Sequence, residues 1–561
     1  MNTLTSVSAA PRPEEWHSIN WDTHHRLVRK LQLRIAKAVR NKQWRKVKSL
    51  QRMLVRSFSA KIIAIKRVTE NKGKTTPGVD GEVWTTPTLK WKAIVLLKKT
   101  GYKPRPLRRI YIPKANGKRR PLGIPTMLDR SMQALHLMAL EPVSESTADD
   151  NSYGFRKARG TADAIVQLHI LLARRIAADW VLEGDIKGCF DNISHDWLLS
   201  NIPMDKEVLR KWLKAGFMEN GAYFQTEAGT PQGGIISPVL ANMCLDGLEK
   251  ELIDHFGRKG TKKANSHKIN YVRYADDFIC TGISPELLEN EVKPIIEAFM
   301  AKRGLTLSRE KTRITNVAEG FDFLGKNIRR YDGKLIIKPS KKNLKTFLNK
   351  IRGVVKNNKT VTQVNLIRIL NPVIIGWVNY HRHVNSKVIF CRVDHEIWQR
   401  LWRWCRRRHP KKSSIRIKKR YFIRKEMKDW IFSDRDVDGK VHTLKLASST
   451  PIKRHVKIKG QANPYDPTWE PYFEKRMDYL WLQSQQGRKK VVELWKRQRS
   501  FCPACNQKIS QESGWHIHHL IPKCEGGKDH IGNLVLLHPN CHRQIHSQSA
   551  GSIKQVEFLE I

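Results

Sequence analysis

The chain has 561 residues, enough for several domains with real cores, and sets 104 Lys and Arg against 52 Asp and Glu for a net charge of +52. Solubility does not require such an excess; it points to a polyanionic partner, nucleic acid ahead of membrane. No apolar run nears the roughly 20 residues of a membrane span, and nine cysteines, odd in number and unevenly spread, exclude a secreted disulfide framework.

In chain order, the start "MNTLTSVSAAPRPEEWHSIN" has no apolar core and acquires acids early, so neither a signal nor a transit peptide is expected. Residues 25–70 carry Leu27, Leu31, Ile35 and Val39 at helical spacing among Lys and Arg, and the pattern stops near Gly73. A loop, "KTTPGVDGE", leads to mixed α/β sequence up to about residue 338. Residues 340–410 read as basic, Trp-rich helix. Residues 411–490 read as basic and irregular, with turn signals at "SDRDVDGK" and "ANPYDPTWEP". From about residue 491 the chain is rich in His and Cys. Cys189, Cys244, Cys280, Cys391 and Cys405 sit singly and are expected to be inert thiols of a reduced, intracellular protein.

"INYVRYADDFICTG" sets Asp276 beside Asp277 at the tip of an expected hairpin. Two like charges about 4 Å apart repel by roughly 4 kcal/mol at an effective dielectric of 20. Bound divalent metal would offset that cost, and so would exposure to water at a turn. Upstream, "DWVLEGDIKGCFDNISH" reads as a short strand that ends on Asp185. A strand-end Asp beside a hairpin-tip Asp can hold a pair of Mg²⁺ ions for an attacking 3′-hydroxyl and a leaving pyrophosphate.

With these stretches stand "RRIYIPKANGKRRPLGIPTMLDR", "SYGFRKARGTADAI", "GTPQGGIISPVLANMCLDGLE", "GLTLSREKTRI" and "FDFLGKNIRR". In that order they resemble the reverse transcriptase of group II intron-encoded proteins, over residues 60–330. The resemblance implies a right-hand palm and fingers, RNA-templated DNA synthesis, and Asp185, Asp276 and Asp277 as catalytic acids holding Mg²⁺. Within that frame Lys114 and Arg120 flank a Gly-containing turn and can clamp a triphosphate. Gln232 is placed near the incoming nucleotide, where Gly233 and Gly234 permit close backbone approach. Lys311 stands where related polymerases carry a candidate general acid. Phe190 is either a ring that blocks a ribose 2′-hydroxyl or a core Phe beneath the strand.

The stretch 366–413 mixes Trp and Tyr with Arg at helical spacing: Arg and Lys suit phosphates, and aromatic planes suit unpaired bases. Trp377, Trp398 and Trp402 can equally be the core of a three-helix bundle. The segment resembles the family's thumb and maturase domain, and "NPYDPTWEPYFEKR" its DNA-binding region.

Near the C-terminus, Cys502 and Cys505 (Cys-x2-Cys) and His538 and Cys541 (His-x2-Cys) form two half-sites about thirty residues apart, which can close a structural Zn²⁺ site. Cys524 competes with His538 as fourth ligand. Between them "WHIHHLIPKCEGGKDHIGNLVLLH" resembles the HNH (ββα-metal) nucleases. By motif position His518, His542 and His546 would hold a catalytic divalent metal, His519 would be the general base, and Asn533 would orient that base; His516 leaves the ligand assignment open.

The expected fold is α+β and multidomain: fingers and palm with an N-terminal extension (1–340), an α-helical thumb/maturase domain (341–415), a DNA-binding region (416–490) and a zinc-containing endonuclease (491–561). The resemblance implies RNA-directed DNA polymerase, splicing cofactor and endonuclease in one chain, acting in retrohoming. Its partners would be intron RNA, target DNA and deoxynucleoside triphosphates, with no membrane. It suits a bacterial cytoplasm, associated with the nucleoid, with an organelle as second setting. Two other readings stand beside it: a splicing factor whose enzyme sites are dispensable, and a repair or defence polymerase unlinked to an intron.

Overall fold

The computed structural model describes residues 16, 18–71, 73–113, 117, 119–230, 233–258, 260–425, 428–484, 489–510, 513–522 and 525–548. Lys114, Gln232 and Cys524, each named above, lie outside the described residues. The helical pattern over residues 25–70 resolves into three helices, Trp21–Arg40, Trp44–Arg56 and Phe58–Glu70. The first ends at Asn41, followed by Lys42 at φ 56°. The second ends at Ser57, whose hydroxyl accepts from Ala60 N at 3.2 Å and so caps the third. Apolar spacing runs on across both breaks, which hides them from a periodicity reading.

These helices pack on the helix Met127–Thr147, buried along most of its length. Pro142 inside that helix removes the N–H that would bond Met138 O. Gln32 Nε2 donates to that carbonyl instead, at 2.9 Å, and Gln51 Nε2 to Ala139 O at 3.2 Å. The N-terminal helices thus repair a defect in the helix they cover.

Strands β1 (Leu107–Pro113), β2 (Arg119–Ile124), β4 (Phe217–Glu219) and β5 (Ala222–Phe224) form a sheet in the order β2-β1-β4-β5. The palm sheet has the order β6-β7-β3-β8, with β3 Trp180–Asp185, β6 Asn270–Tyr274, β7 Asp277–Gly282 and β8 Arg313–Asn316, all pairs antiparallel. A further sheet, β11-β10-β9, follows (β9 Phe321–Phe323, β10 Lys326–Tyr331, β11 Lys334–Pro339). Helices Lys341–Asn357, Gln363–His381 and Lys387–Arg408 then close on Phe347, Leu366, Ile374, Phe390 and Leu401. Trp377, Trp398 and Trp402 are half-buried against that core.

The stretch from 411 to 490, expected to be irregular, is instead largely built. It holds the helix Ser414–Tyr421, a sheet β12-β13-β14 (β12 Phe422–Lys425, β13 Lys428–Arg435, β14 Val441–Thr443) and the helix Glu470–Ser484. Strand β13 buries Ile431, Phe432 and Ser433 in succession, so no alternation announces it. Residues in and between these elements bind back to earlier helices: His455 Nε2 and Arg476 Nη2 meet Asp163 Oδ1 at 2.9 and 2.7 Å, and Tyr465 OH donates to Glu141 at 2.7 Å. The C-terminal unit is ββα, with β15 (His516–His519), β16 (Leu534–Leu537) and the helix Pro539–Gln548. Gln507 Nε2 reaches Asp22 Oδ1 of the first helix at 2.5 Å. Among the described residues no helix is long and apolar enough to cross a membrane.

Candidate active sites

The hairpin β6–β7 pairs Tyr274 with Asp277, leaving Ala275 and Asp276 as the turn. Ala275 takes φ 58°, a region unusual for a residue with a Cβ. Strand β3 lies beside β7 in a register that puts Asp185 opposite Asp277 and Gly184 opposite Phe278. A Cβ on Gly184 would come within 2.1 Å of the Phe278 ring, so glycine there lets the ring lie flat under the acids. Two strand ends and one turn thus gather Asp185, Asp276 and Asp277.

Below the turn, Arg273 is wholly buried, ion-paired with Asp246 and donating to Asn242 Oδ1 at 3.0 Å. A Cβ on Gly154 would meet Ala275 N at 2.3 Å, so the "SYGF" stretch presses directly on the turn. Withdrawal from water, with Asp185 close by, raises the Asp276 carboxyl above the usual range. Partial withdrawal from water, followed by the charges of Asp276 and Asp185, pushes Asp277 up to about 7, although the residue as a whole is exposed. Without a cation these carboxyls resist full ionisation together. The donor set is oxygen only and acidic, which fits Mg²⁺.

Asp185 and Asp276 lie on a cleft of about 1,500 Å³, also lined by Arg120, Phe155, Phe190 and Lys311. Lys311 Nζ sits 2.8 Å from Asp185 Oδ2, and that hydrogen bond raises its pKa. Phe190 is half-buried: its ring meets Phe155 edge-on at 6.1 Å on the cleft wall, while its backbone carbonyl accepts from Thr230 N at 2.6 Å. Gly233 has φ 118°, and a Cβ there would stand 2.6 Å from Gly123 O of β2. The close backbone approach expected of this glycine is therefore to the strand that also carries Arg120.

At the C-terminus the ligand atoms of Cys502, Cys505, His538 and Cys541 all lie within 4.8 Å of one another, and Cys505 Sγ is 3.2 Å from His538 Nδ1. Three thiols and an imidazole in that compass are a donor set suited to a tetrahedral metal ion. His518, His542 and His546 form a second such group within 4.8 Å. His516 stands outside it, its ring 5.1 Å from that of His542. His519 points elsewhere, its Nε2 2.6 Å from Asp529 Oδ1. The Asn533 side chain accepts from Ile521 N at 2.7 Å and donates to Ile521 O and Lys528 O at 3.1 Å. It braces the loop that delivers Asp529, and Asp529 meets the imidazole. Sequence reasoning passed over Asp529 because it is ten residues from His519 in a Lys- and Gly-rich loop; its place just upstream of "HIGN" was the available signal.

A palm sheet that gathers carboxylates beside a cleft carrying Arg120 and Lys311 is the arrangement of a nucleotidyl-transferring polymerase. Family models match accordingly: reverse transcriptase (RNA-dependent DNA polymerase) over residues 112–328, the N-terminal domain of reverse transcriptase over 16–97, the group II intron maturase-specific domain over 344–422, and HNH endonuclease over 502–548. Protein YkfC of Escherichia coli K12 is 34% identical over 298 residues, 46% of this chain and 77% of that protein. The group II intron-encoded protein LtrA of Lactococcus lactis subsp. cremoris is 33% identical over 350 residues, 51% of this chain and 57% of its own length. Maturase-like protein 1 of Euglena gracilis is 26% identical over 377 residues, 65% and 76% respectively. The chain belongs to the group II intron-encoded proteins, with reverse transcriptase, maturase and HNH endonuclease domains. It spans little more than half the length of LtrA.

Proposed function

We propose that this protein serves the mobility of a group II intron: it binds the intron RNA and assists its splicing, cuts DNA at the insertion site, and copies the inserted RNA into DNA. In the polymerase site Asp185, Asp276 and Asp277 would hold Mg²⁺, whose charge would activate the primer 3′-hydroxyl and stabilise the leaving pyrophosphate. Arg120, with Lys114 and Gln232, would orient the triphosphate, Arg through its planar fork. Lys311, already paired with Asp185, is a proton source for pyrophosphate as the phosphorus–oxygen bond breaks. Phe190 would close the space that a ribose 2′-hydroxyl needs.

Cys502, Cys505, His538 and Cys541 would hold a structural Zn²⁺, and His518, His542 and His546 a catalytic divalent metal. His519 would take the proton of the attacking water, with its ring held by Asp529 and the loop braced by Asn533. As units of function we propose residues 1–340, 341–415, 416–490 and 491–561.

What supports the reading most directly is the register that sets Asp185 against Asp277 beside a cleft bearing Arg120. Primer extension on an RNA template, with RNA recovered from the purified protein sequenced alongside, tests it. The expected result is Mg²⁺-dependent DNA synthesis that Asp276→Ala abolishes, with co-purifying intron RNA retained. Unimpaired synthesis by Asp276→Ala would remove the catalytic assignment.

A further inference from the structure

A second hollow, of about 740 Å³, opens between the N-terminal helices and the helix Met127–Thr147. It shares no lining residue with the polymerase cleft, and its size is that of a small-molecule site. Its floor is apolar: Val55 and Met204 are half-exposed there, over Leu97, Met132 and Leu135, which are buried beneath them. Its rim is cationic. Lys48, Arg52 and Arg56 follow one another at four-residue intervals on the helix Trp44–Arg56, so their charges rise in a single row. Like charges at that spacing oppose one another on a helix. None of the three has an ion-pair partner among the described residues. The acids on the rim, Asp205 and Glu207, are both taken by Lys99 at 2.8 Å. Lys206, also on the rim, is partly withdrawn from water and faces Lys48, and both effects lower its pKa.

His136 completes the floor. It is 6% exposed, its ring stands edge-on to Trp212 at 5.4 Å, and its Nε2 is buried with no hydrogen-bond partner. Burial keeps the ring neutral, with its pKa lowered to about 4. A neutral imidazole offers one donor and one acceptor. A simple phosphate would leave the apolar floor and the imidazole unused. A fatty chain would leave the imidazole and most of the cationic row unused. A planar heterocycle joined to a phosphate uses all three, with Met side chains adaptable enough to line a flat ring.

We infer that this hollow binds a nucleotide, its base lying against Val55 and Met204 toward His136 and its phosphate on the Lys48–Arg52–Arg56 row. Two sources supply that chemistry, a free nucleotide and an unpaired nucleotide of a bound RNA strand. Photolabelling of the full-length protein with 8-azidoadenosine 5′-monophosphate, and separately with a short oligoribonucleotide containing 4-thiouridine, followed by peptide mapping, decides between them. Label is expected on the peptides that carry Met132–Ala139 or Trp44–Arg56. Excess AMP should compete it away, and ribose 5-phosphate, inorganic phosphate and decanoate should not. The double variant Arg52→Glu/Arg56→Glu, on an exposed helix face, should lose labelling by about tenfold or more with its melting temperature unchanged. His136→Asn should lower labelling by both probes. Labelling by the mononucleotide assigns a free ligand; labelling by the oligonucleotide alone assigns a base presented by RNA. No label in this hollow from either probe, or label displaced equally well by phosphate or decanoate, would overturn the proposal.

Discussion

Phe190, half-buried, combines a backbone contact with a ring on the cleft wall. Its carbonyl receives Thr230 N while its ring, edge-on to Phe155, lines the polymerase cleft. A fully buried ring cut to Ala would cost about 3–5 kcal/mol; a ring on the cleft wall loses less stability and opens space instead. Phe190→Val should therefore raise ribonucleotide incorporation relative to deoxyribonucleotide by about tenfold or more, the scale one steric contact supplies. Competition between the two nucleotide types in primer extension measures this. An unchanged ratio with uniformly weaker synthesis would return Phe190 to the core. The neighbouring residues explain why so little slack exists here. Gly154 has no room for a Cβ against Ala275, and Arg273 is locked to Asp246 and Asn242 beneath the turn. Breaking a buried pair of this kind costs about 3–5 kcal/mol because its partner charge stays behind. Motif order brings Asp185, Asp276 and Asp277 to notice in the bare sequence. Arg273 and Gly154 stand in the same motifs without announcing their roles, because burial and close approach are properties of packing.

Between elements, the junction of the helix Gln363–His381 with β10 buries a group that responds to pH. His381 is fully buried, its Nε2 facing Asn343 Oδ1 at 2.9 Å while its Nδ1 has no partner. Trp377 Nε1 donates to the same Asn343 oxygen at 2.8 Å, and Tyr380 OH to Leu324 O at 2.8 Å. Burial, then the nearby charges of Lys326 and His383, lowers the His381 pKa from 6.5 to about 3. The unfolded chain therefore takes up a proton that the folded one refuses. The His381 contribution is undiminished above pH 6.5, and stability declines as pH falls toward 3, by an amount on the order of 5 kcal/mol at full effect. Thermal melts of the wild type and of His381→Gln, which keeps a donor for Asn343, should converge as pH falls through that window. A constant gap between the two curves would show that His381 does not titrate on unfolding. The elements themselves were unevenly legible. Helices with an apolar stripe, such as Lys341–Asn357, declare themselves by period. The breaks at Asn41 and Ser57 do not, because capping is decided by one or two residues while the stripe runs on. Strand β13 does not either, since its three consecutive buried residues match neither period.

Across the whole molecule the charge excess has a physical reading that salt can test. Each phosphate neutralised by Lys or Arg releases counterions, so RNA affinity should fall steeply as salt rises. The run at the end of the helix Lys387–Arg408 divides in two: Arg408 stacks over Trp404 at 4.4 Å and donates to Lys359 O and Val361 O, whereas Arg406 and Arg407 are exposed. Arg406→Gln/Arg407→Gln should lower the slope of log affinity against log salt by about 2, one contact apiece; an unaltered slope would make the pair solvent-facing only. The endonuclease unit is tied to the first helix through Gln507 and Asp22, while its two donor sets are separate from the palm acids. On the proposed function, one chain carries two independent metal-dependent centres acting on the same target. The direct measurement reconstitutes the protein with intron RNA and follows second-strand cleavage and DNA synthesis together on intact and pre-nicked target DNA. Asp276→Ala should cut the second strand as the parent does and make no DNA. His519→Ala should leave the second strand whole and extend the pre-nicked primer normally. Cleavage at the parent's rate by His519→Ala, or primer extension by Asp276→Ala, would contradict the account.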